Sequence, residues 1–189
     1  MRDVSLMLRG LSCSVREWRL ADAEALARHA NNLNIARHLR DRFPHPYTVN
    51  HASAFLAHVA REKGPAGNLA IDVDGEAVGA IGFTIGDDVE RFSAEIGYWL
   101  SEAYWGRGIA TEAVVLLTAH VFEQLNLLRL FALPFADNVP SARVLEKAGF
   151  VREAVLRASA VKFGRSRDQL LYARVNDRWR PSASGNLPG

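Results

Sequence analysis

The sequence predicts an α/β protein whose sheet contains both antiparallel and parallel strands. Three strand-like segments follow one another between 68 and 100, and the turns between them are too short for a helical crossover. From Gly108 onward the apolar residues recur at helical spacing, and another strand and helix follow. A meander combined with crossovers requires both strand directions in one sheet. The 189 residues suffice for one domain, and the single cysteine excludes an internal disulfide.

Local signals place the elements of the first half. Two prolines exclude a helix between Phe43 and Tyr47, because the proline ring fixes extended or turn conformations. The next residue, Thr48, is typical of a helix N-cap. The predicted elements are a strand over 14–19, helical sequence over 21–39 that is broken at Asn31-Asn32, and a helix from Thr48 to about Lys63.

Turn signals and alternation define the meander, with strands predicted over 68–73, 77–85 and 92–100. Asp74-Gly75 is a strong hairpin signal. Gly79 and Gly82 in the second strand indicate close approach of a neighbouring backbone. In the third strand Glu95 and Trp99 lie on the face opposite the apolar residues, since side chains alternate along a strand.

Helical and extended patterns also alternate in the second half. Asn138 is a suitable N-cap, Pro140 lies in the first turn that follows it, and Gly149 suits the left-handed residue after a helix. The predicted elements are helices over 108–124 and 138–148 and strands over 127–133, 151–156 and 169–175. Residues 1–180 are expected to form one domain, and 181–189, rich in Ser, Gly and Pro, a flexible tail.

An anion-binding loop is predicted from Trp105 to Ala110, between a strand and a helix. Two glycines there permit a tight turn and leave backbone N–H groups accessible, and the helix adds its positive end. Such a loop suits a pyrophosphate, although a plain tight turn has the same pattern. No Gly-Lys-Ser/Thr tripeptide is present, and a dinucleotide fingerprint would need Gly or Ala at Thr111.

Several ordered segments resemble the GCN5-related N-acetyltransferases, and most closely the RimJ/RimL branch of ribosomal-protein N-terminal acetyltransferases. The resemblance extends from about 16 to 171 and is carried by Glu95–Leu100, Trp105–Ala113, Asn138–Phe150 and Arg42–Thr48. The general superfamily motif begins with Gln or Arg where this chain has Trp105, a change that the branch tolerates.

The resemblance implies a mostly antiparallel mixed sheet of six to seven strands, splayed at its centre, and direct acetyl transfer from acetyl-CoA to a primary amine. It also implies that the loop and the helix start hold the CoA pyrophosphate, that the strand ending at Leu100 pairs with the pantetheine arm, and that Asn138 hydrogen-bonds this arm. The predicted cofactor-binding residues are Trp99, Leu100, Trp105, Gly106, Arg107, Gly108, Ile109, Ala110, Thr111 and Asn138.

Two residues are candidates for the proton transfers. Glu95 is the candidate base for the amine, directly or through water, and its alternative role is an ion-paired strand carboxylate. Ser141 is the candidate proton donor to the thiolate, and its alternative is an ordinary first-turn serine. Tyr98 is a rival donor, but alternation assigns it to the core. Gly97 would ease a bulge where a backbone N–H stabilises the oxyanion.

The acceptor and the partners are less determined. Phe43, His45 and Tyr47 are predicted to shape a stiff, apolar acceptor pocket for a polypeptide N-terminus or a small amine. The alternative function is a CoA-binding regulatory protein without turnover.

No metal site and no membrane partner are expected, and a homodimer is left open. Nucleic acid is disfavoured, because no aromatic residues interleave regularly with the basic residues of 143–189. The single cysteine favours the cytoplasm.

Overall fold

A computed structural model describes residues 6–62 and 67–181, which form an eight-stranded sheet with helices on both faces. The strands are β1 (Met7–Arg9), β2 (Ser14–Glu17), β3 (Asn68–Val73), β4 (Glu76–Ile85), β5 (Ser93–Leu100), β6 (Arg129–Ala132), β7 (Val151–Lys162) and β8 (Arg165–Val175). The helices are α1 (Ala23–Ala30), α2 (Leu33–Ala36), α3 (Val49–Val59), α4 (Ile109–Gln124) and α5 (Val139–Lys147). The predicted tail, 181–189, lies outside the described residues except for Pro181.

The sheet order is β1-β2-β3-β4-β5-β6-β8-β7, and only the β5–β6 pair is parallel. That pair is short: Ser93–Glu95 faces Arg129–Phe131, whereas β5 continues to Leu100. The predicted mixed sheet and its central splay are therefore confirmed. The number of strands is eight rather than six or seven, because the three-residue β1, which forms by pairing with β2, is too short to show a pattern of its own.

The last two strands form a hairpin longer than the sequence predicted. Residues 157–168 are largely exposed, and five of the twelve are charged, so alternation gives no signal there. The turn at Phe163-Gly164 has φ values of 52° and 71°. Beside it, Lys162 is only 5% exposed, and its Nζ donates to Asp41 Oδ1 at 2.8 Å. The hairpin tip is thereby held against the loop that precedes α3.

Capping residues end the helices largely where the sequence predicts. The Thr48 hydroxyl accepts from the His51 N–H at 3.3 Å, and Asn138 Oδ1 accepts from the Ser141 N–H at the same distance. Gly149 has a φ of 84°, and the Phe150 N–H donates back to Leu145 O at 3.0 Å. The helix break at Asn31-Asn32 is confirmed. The helix predicted to reach Lys63 instead ends at Val59.

The two faces of β5 belong to different layers. Ile96 and Leu100 join the main core beneath α4 and α5, whereas Trp99 packs with the smaller cluster of α1 and α3. Glu95 alternates onto the Trp99 face, as predicted. The pairing of β6 with β5 ends at Glu95. The rest of β5 therefore borders both layers, and its edge toward β6 is open.

A buried charged cluster ties β2 to β3 and to the turn before α1. Arg16 is 2% exposed. Its guanidinium contacts Asp22 at 2.8 and 3.0 Å and Asp72 at 2.7 Å. Burial alone would raise the pKa of Asp22, but hydrogen bonds from Arg16 and from the Arg19 N–H lower it below its ordinary value.

Candidate active site

The predicted anion-binding loop has the geometry its glycines suggest. Gly106 and Gly108 have φ values of 76° and 80°, and no atom lies within 4 Å of the position that a Cβ would take at either residue. Gly108 is the N-cap of α4, so the first N–H groups of that helix have no partner within it. Trp105 Nε1 donates to Leu100 O at 2.8 Å, which joins this loop to the end of β5.

The first turn of α4 is also held from the other side. The Glu112 carboxylate accepts from the backbone N–H groups of Leu11, Ser12 and Cys13 at 2.6, 2.8 and 3.1 Å, and from the Ser12 hydroxyl at 2.5 Å. Burial would raise the pKa of Glu112, but these hydrogen bonds lower it to about 2. Burial, then the charge of Glu112, raises the pKa of Cys13 to about 12, so its thiol stays protonated and is not a nucleophile.

We expect Glu112→Gln to destabilise the protein by about 1–2 kcal/mol at pH 7, because it removes hydrogen bonds to a charged acceptor. The Glu112 pKa is lower in the folded protein than its usual 4.5, so this stabilisation is complete above about pH 4.5 and is lost as the pH falls toward 2. Urea unfolding at several pH values measures the difference between wild type and variant. Glu123→Gln, at an exposed position on the same helix, is the control. A difference that does not shrink in acid would contradict this account.

Beyond the end of the β5–β6 pairing lies a polar pair. The Tyr98 hydroxyl donates to Ser141 O at 3.0 Å and lies 2.9 Å from Ser141 Oγ. Ser141 is in the first turn of α5, whose N-cap is Asn138, so one helix start positions both predicted residues. Burial raises the pKa of Tyr98, although its hydrogen bond with Ser141 acts in the opposite direction. Tyr98 is therefore neutral and can hold the serine hydroxyl in place.

On the other face of β5 lies a cavity of about 650 Å³, between the sheet, α3 and the loop from Leu39 to Tyr47. Its size is typical of small-ligand pockets. Phe43 stacks on Tyr47 with ring centroids 4.9 Å apart and contacts the Trp99 ring at 5.8 Å. The Phe, Tyr and Trp residues that line the cavity are Trp18, Phe43, Tyr47, Phe55, Phe83, Tyr98 and Trp99.

Glu95 lies in the cavity wall and is ion-paired. Its Oε1 accepts from Arg40 Nη2 across the opening, and the two side chains are 32% and 59% exposed. Gly97, two residues further along β5, has no atom within 4 Å of a Cβ position. A carboxylate therefore stands in the cavity next to open space along the strand, where an amine can approach it.

The structure groups the predicted residues into two sets. One set adjoins the layer of α4 and α5 and consists of Leu100, the loop 105–111, Asn138 and Ser141. The other set lines the cavity and consists of Phe43, Tyr47, Glu95 and Trp99. Trp99 contacts the Phe43 ring and packs against the α1 and α3 cluster. His45 is exposed and is not among the described residues that line the cavity.

Sequence reasoning missed three contributors to the site. Arg40 gave no signal, because its role depends on meeting Glu95 from 55 positions away. Glu112 was identifiable only as a first-turn acidic residue, and its partners lie about 100 positions earlier. Tyr98 was assigned to the core by alternation; it is partly buried, but its hydroxyl pairs with Ser141.

Across residues 6–62 and 67–181, no group of three or more His, Cys, Asp or Glu side chains is arranged to hold a metal ion. None of the helices there combines the length and the apolar character that crossing a membrane requires.

A glycine loop joined to the end of β5 and a cavity of small-ligand size on one face of that strand suit a CoA-dependent transferase. A family model described as an acetyltransferase (GNAT) domain matches residues 14–151. The chain belongs to the GNAT family of acetyltransferases. It is an N-acetyltransferase that moves the acetyl group of acetyl-CoA to an amine, so the non-enzymatic alternative is set aside.

The similarity to known proteins extends over most of the chain. The probable N-acetyltransferase YjcK of Bacillus subtilis is 32% identical over 183 residues, which cover 90% of this chain and 97% of that protein. The ribosomal-protein-serine acetyltransferase of Escherichia coli is 32% identical over 116 residues, or 61% and 64% of the two chains. The solved structure of Mycobacterium smegmatis RimJ in complex with CoA-disulfide has a TM-score of 0.80 and 27% identity, with coverage of 94% and 90%.

Proposed function

We propose that the acceptor is the α-amino group of a polypeptide, acetylated by direct attack on acetyl-CoA. The observation that carries this proposal is the charge of the cavity: Glu95 is the single carboxylate among the described residues that line it. A polyamine or aminoglycoside presents several ammonium groups, and each would need a negative partner. An N-terminus presents one. Two relatives support the same acceptor: one is named a ribosomal-protein-serine acetyltransferase, and the other a putative ribosomal N-acetyltransferase. With one buried free cysteine, Cys13, we place the reaction in the cytoplasm.

In this proposal the loop around Gly106 and Gly108 holds the CoA pyrophosphate. Its open backbone and the N-terminus of α4 supply N–H donors and a partial positive charge. From Ile96 onward the β5 edge that faced β6 has no strand partner, which leaves backbone groups for the pantetheine arm. Asn138, at the start of α5, is positioned near the same opening.

The transfer uses groups on both sides of β5. Glu95 accepts the proton of the attacking amine in the cavity. The amine forms a bond to the thioester carbonyl carbon, and the resulting oxyanion collapses with cleavage of the C–S bond. Ser141, held by Tyr98, passes a proton to the departing thiolate and takes one back from water. Trp99 belongs, in this account, to the acceptor wall with Phe43 and Tyr47 and not to the cofactor site.

The proposed acceptor is tested by following free thiol release from acetyl-CoA with a matched panel. It contains octapeptides with free N-termini, the same peptides with blocked N-termini, spermidine, and a simple aromatic amine. We expect release with the free peptides only. Release with spermidine or the aromatic amine, and none with any free peptide, would overturn the polypeptide acceptor while leaving the acetyltransferase activity in place.

The acceptor class also sets how much the enzyme depends on Glu95. An α-amine has a pKa of about 7.7–8.0, so roughly a quarter of it is neutral at pH 7.5. A lysine-like amine has a pKa of about 10.4 and is almost entirely charged at that pH. We therefore expect Glu95→Gln to lower kcat/KM on a peptide by about tenfold or less. On an aliphatic amine, loss of a general base typically costs about 10²–10⁴.

The measurement is kcat/KM against pH for wild type and Glu95→Gln. Because Arg40 pairs with Glu95, Arg40→Gln is measured in parallel to separate loss of the base from loss of the ion pair. A loss above about a hundredfold on the best acceptor, with an amine that titrates near 10, would contradict an α-amine substrate.

A further inference from the structure

The residues around Arg42 are fixed by contacts on both sides. On one side, the Asp41 carboxylate accepts from Lys162 at 2.8 Å, so its charge is already balanced. On the other side, Phe43 stacks on Tyr47 and contacts Trp99. Two prolines follow, at 44 and 46, and restrict the backbone further. The backbone that presents Arg42 is therefore anchored to the hairpin tip and to the aromatic wall.

Arg42 itself lines the cavity, is exposed, and has no ion pair or hydrogen bond among residues 6–62 and 67–181. The other arginine of the wall, Arg40, is paired with Glu95. The charged side chains that line the cavity are thus two arginines and one carboxylate, and that carboxylate is needed by the reacting amine. One positive charge remains for a ligand.

We infer that Arg42 binds an anionic group placed close to the acceptor amine. This inference rests on the proposed polypeptide acceptor, and it specifies an N-terminus whose second residue is acidic. A guanidinium suits this role because its planar donor fork matches a carboxylate. A basic residue in the second position would instead meet Arg42 with like charge.

The inference is tested with three octapeptides that differ only in whether the second position holds glutamate, glutamine or lysine, and a fourth in which the glutamate is moved to the last position. We expect kcat/KM of the wild-type enzyme to be about three- to tenfold higher with glutamate in the second position than with lysine there. The effect is modest because the ion pair between Arg42 and the glutamate would be partly exposed to solvent. The glutamine peptide should fall between them. The peptide with glutamate in the last position should behave like the glutamine peptide if the effect is local.

Three enzyme variants assign the effect to Arg42. Arg42→Gln should abolish the preference and Arg42→Glu should invert it. Arg178→Gln changes an exposed arginine outside the cavity wall and should leave the preference unchanged. Raising the salt concentration should reduce the preference only in enzymes that retain a charge at position 42.

Two failures can be told apart. If all four peptides are acetylated at equal rates by the wild-type enzyme, or if the preference survives in Arg42→Gln, the role of Arg42 is overturned and the polypeptide acceptor stands. If no peptide is acetylated while a small amine releases CoA, both the polypeptide acceptor and the acidic second residue are overturned.

Discussion

Gly108→Val should weaken acetyl-CoA binding by about a hundredfold, which corresponds to about 2.7 kcal/mol. Gly108 has a φ of 80°, and a Cβ there would project into open space ahead of α4, where we place the pyrophosphate. The side chain would block the approach to the helix N–H groups, and a β-branched residue also disfavours this backbone conformation. Isothermal titration calorimetry with CoA measures the effect directly.

Gly75→Val separates these two causes. Gly75 has a φ of 90° and, like Gly108, no atom within 4 Å of a Cβ position, but it lies in the β3–β4 turn. It therefore imposes a similar backbone strain away from the proposed CoA site. We expect Gly75→Val to lose stability and keep its CoA affinity. Unchanged CoA binding by folded Gly108→Val would contradict the placement of the pyrophosphate.

Arg16→Met should destabilise the protein by about 3–5 kcal/mol, because it leaves the carboxylates of Asp22 and Asp72 buried without their cation. The methionine fills much of the same volume, so the cost reports the unpaired charges more than a void. Urea unfolding at pH 7 measures the free energy. The stability difference between variant and wild type should also shrink as the pH falls, because Arg16 lowers the pKa of Asp22 only in the wild-type protein.

A triple variant tests this cause. Arg16→Met combined with Asp22→Asn and Asp72→Asn removes the uncompensated charges, while the amide oxygens can still accept from the N–H groups of Arg19 and Gly75. We expect the triple variant to recover a large part of the lost stability. No recovery, or a cost below about 1 kcal/mol for Arg16→Met alone, would show that the charge cluster is not what the fold depends on.

The sequence predicted the elements whose signals are local. The Asp74-Gly75 turn, the caps at Thr48 and Asn138, and the left-handed Gly149 each depend on a few neighbouring residues, and all lie where expected. The sheet class followed from the change of period near Gly108. Strand β1 and the tip of the β7–β8 hairpin were missed, since their stability comes from pairing and from the Lys162–Asp41 contact.

The candidate site divides in the same way. Glycines before a helix can be interpreted from sequence, because a left-handed backbone and open N–H groups are local properties. Other features depend on segments that are distant in the sequence, so only the folded chain brings them together. They are the pairing of Arg40 with Glu95, the four donors on Glu112, and the place of Arg42 in the cavity wall. For Trp99, alternation predicted the face of the strand, and the structure supplied its neighbours.

The central claim, transfer of acetyl to a polypeptide α-amine, is tested most directly by locating the product. An octapeptide with a free N-terminus and one internal lysine is incubated with enzyme and acetyl-CoA, and fragmentation mass spectrometry assigns the added acetyl group. The account predicts acetyl on the N-terminal nitrogen and none on the lysine. Acetyl on the lysine ε-amine, with the N-terminus unmodified, would contradict it.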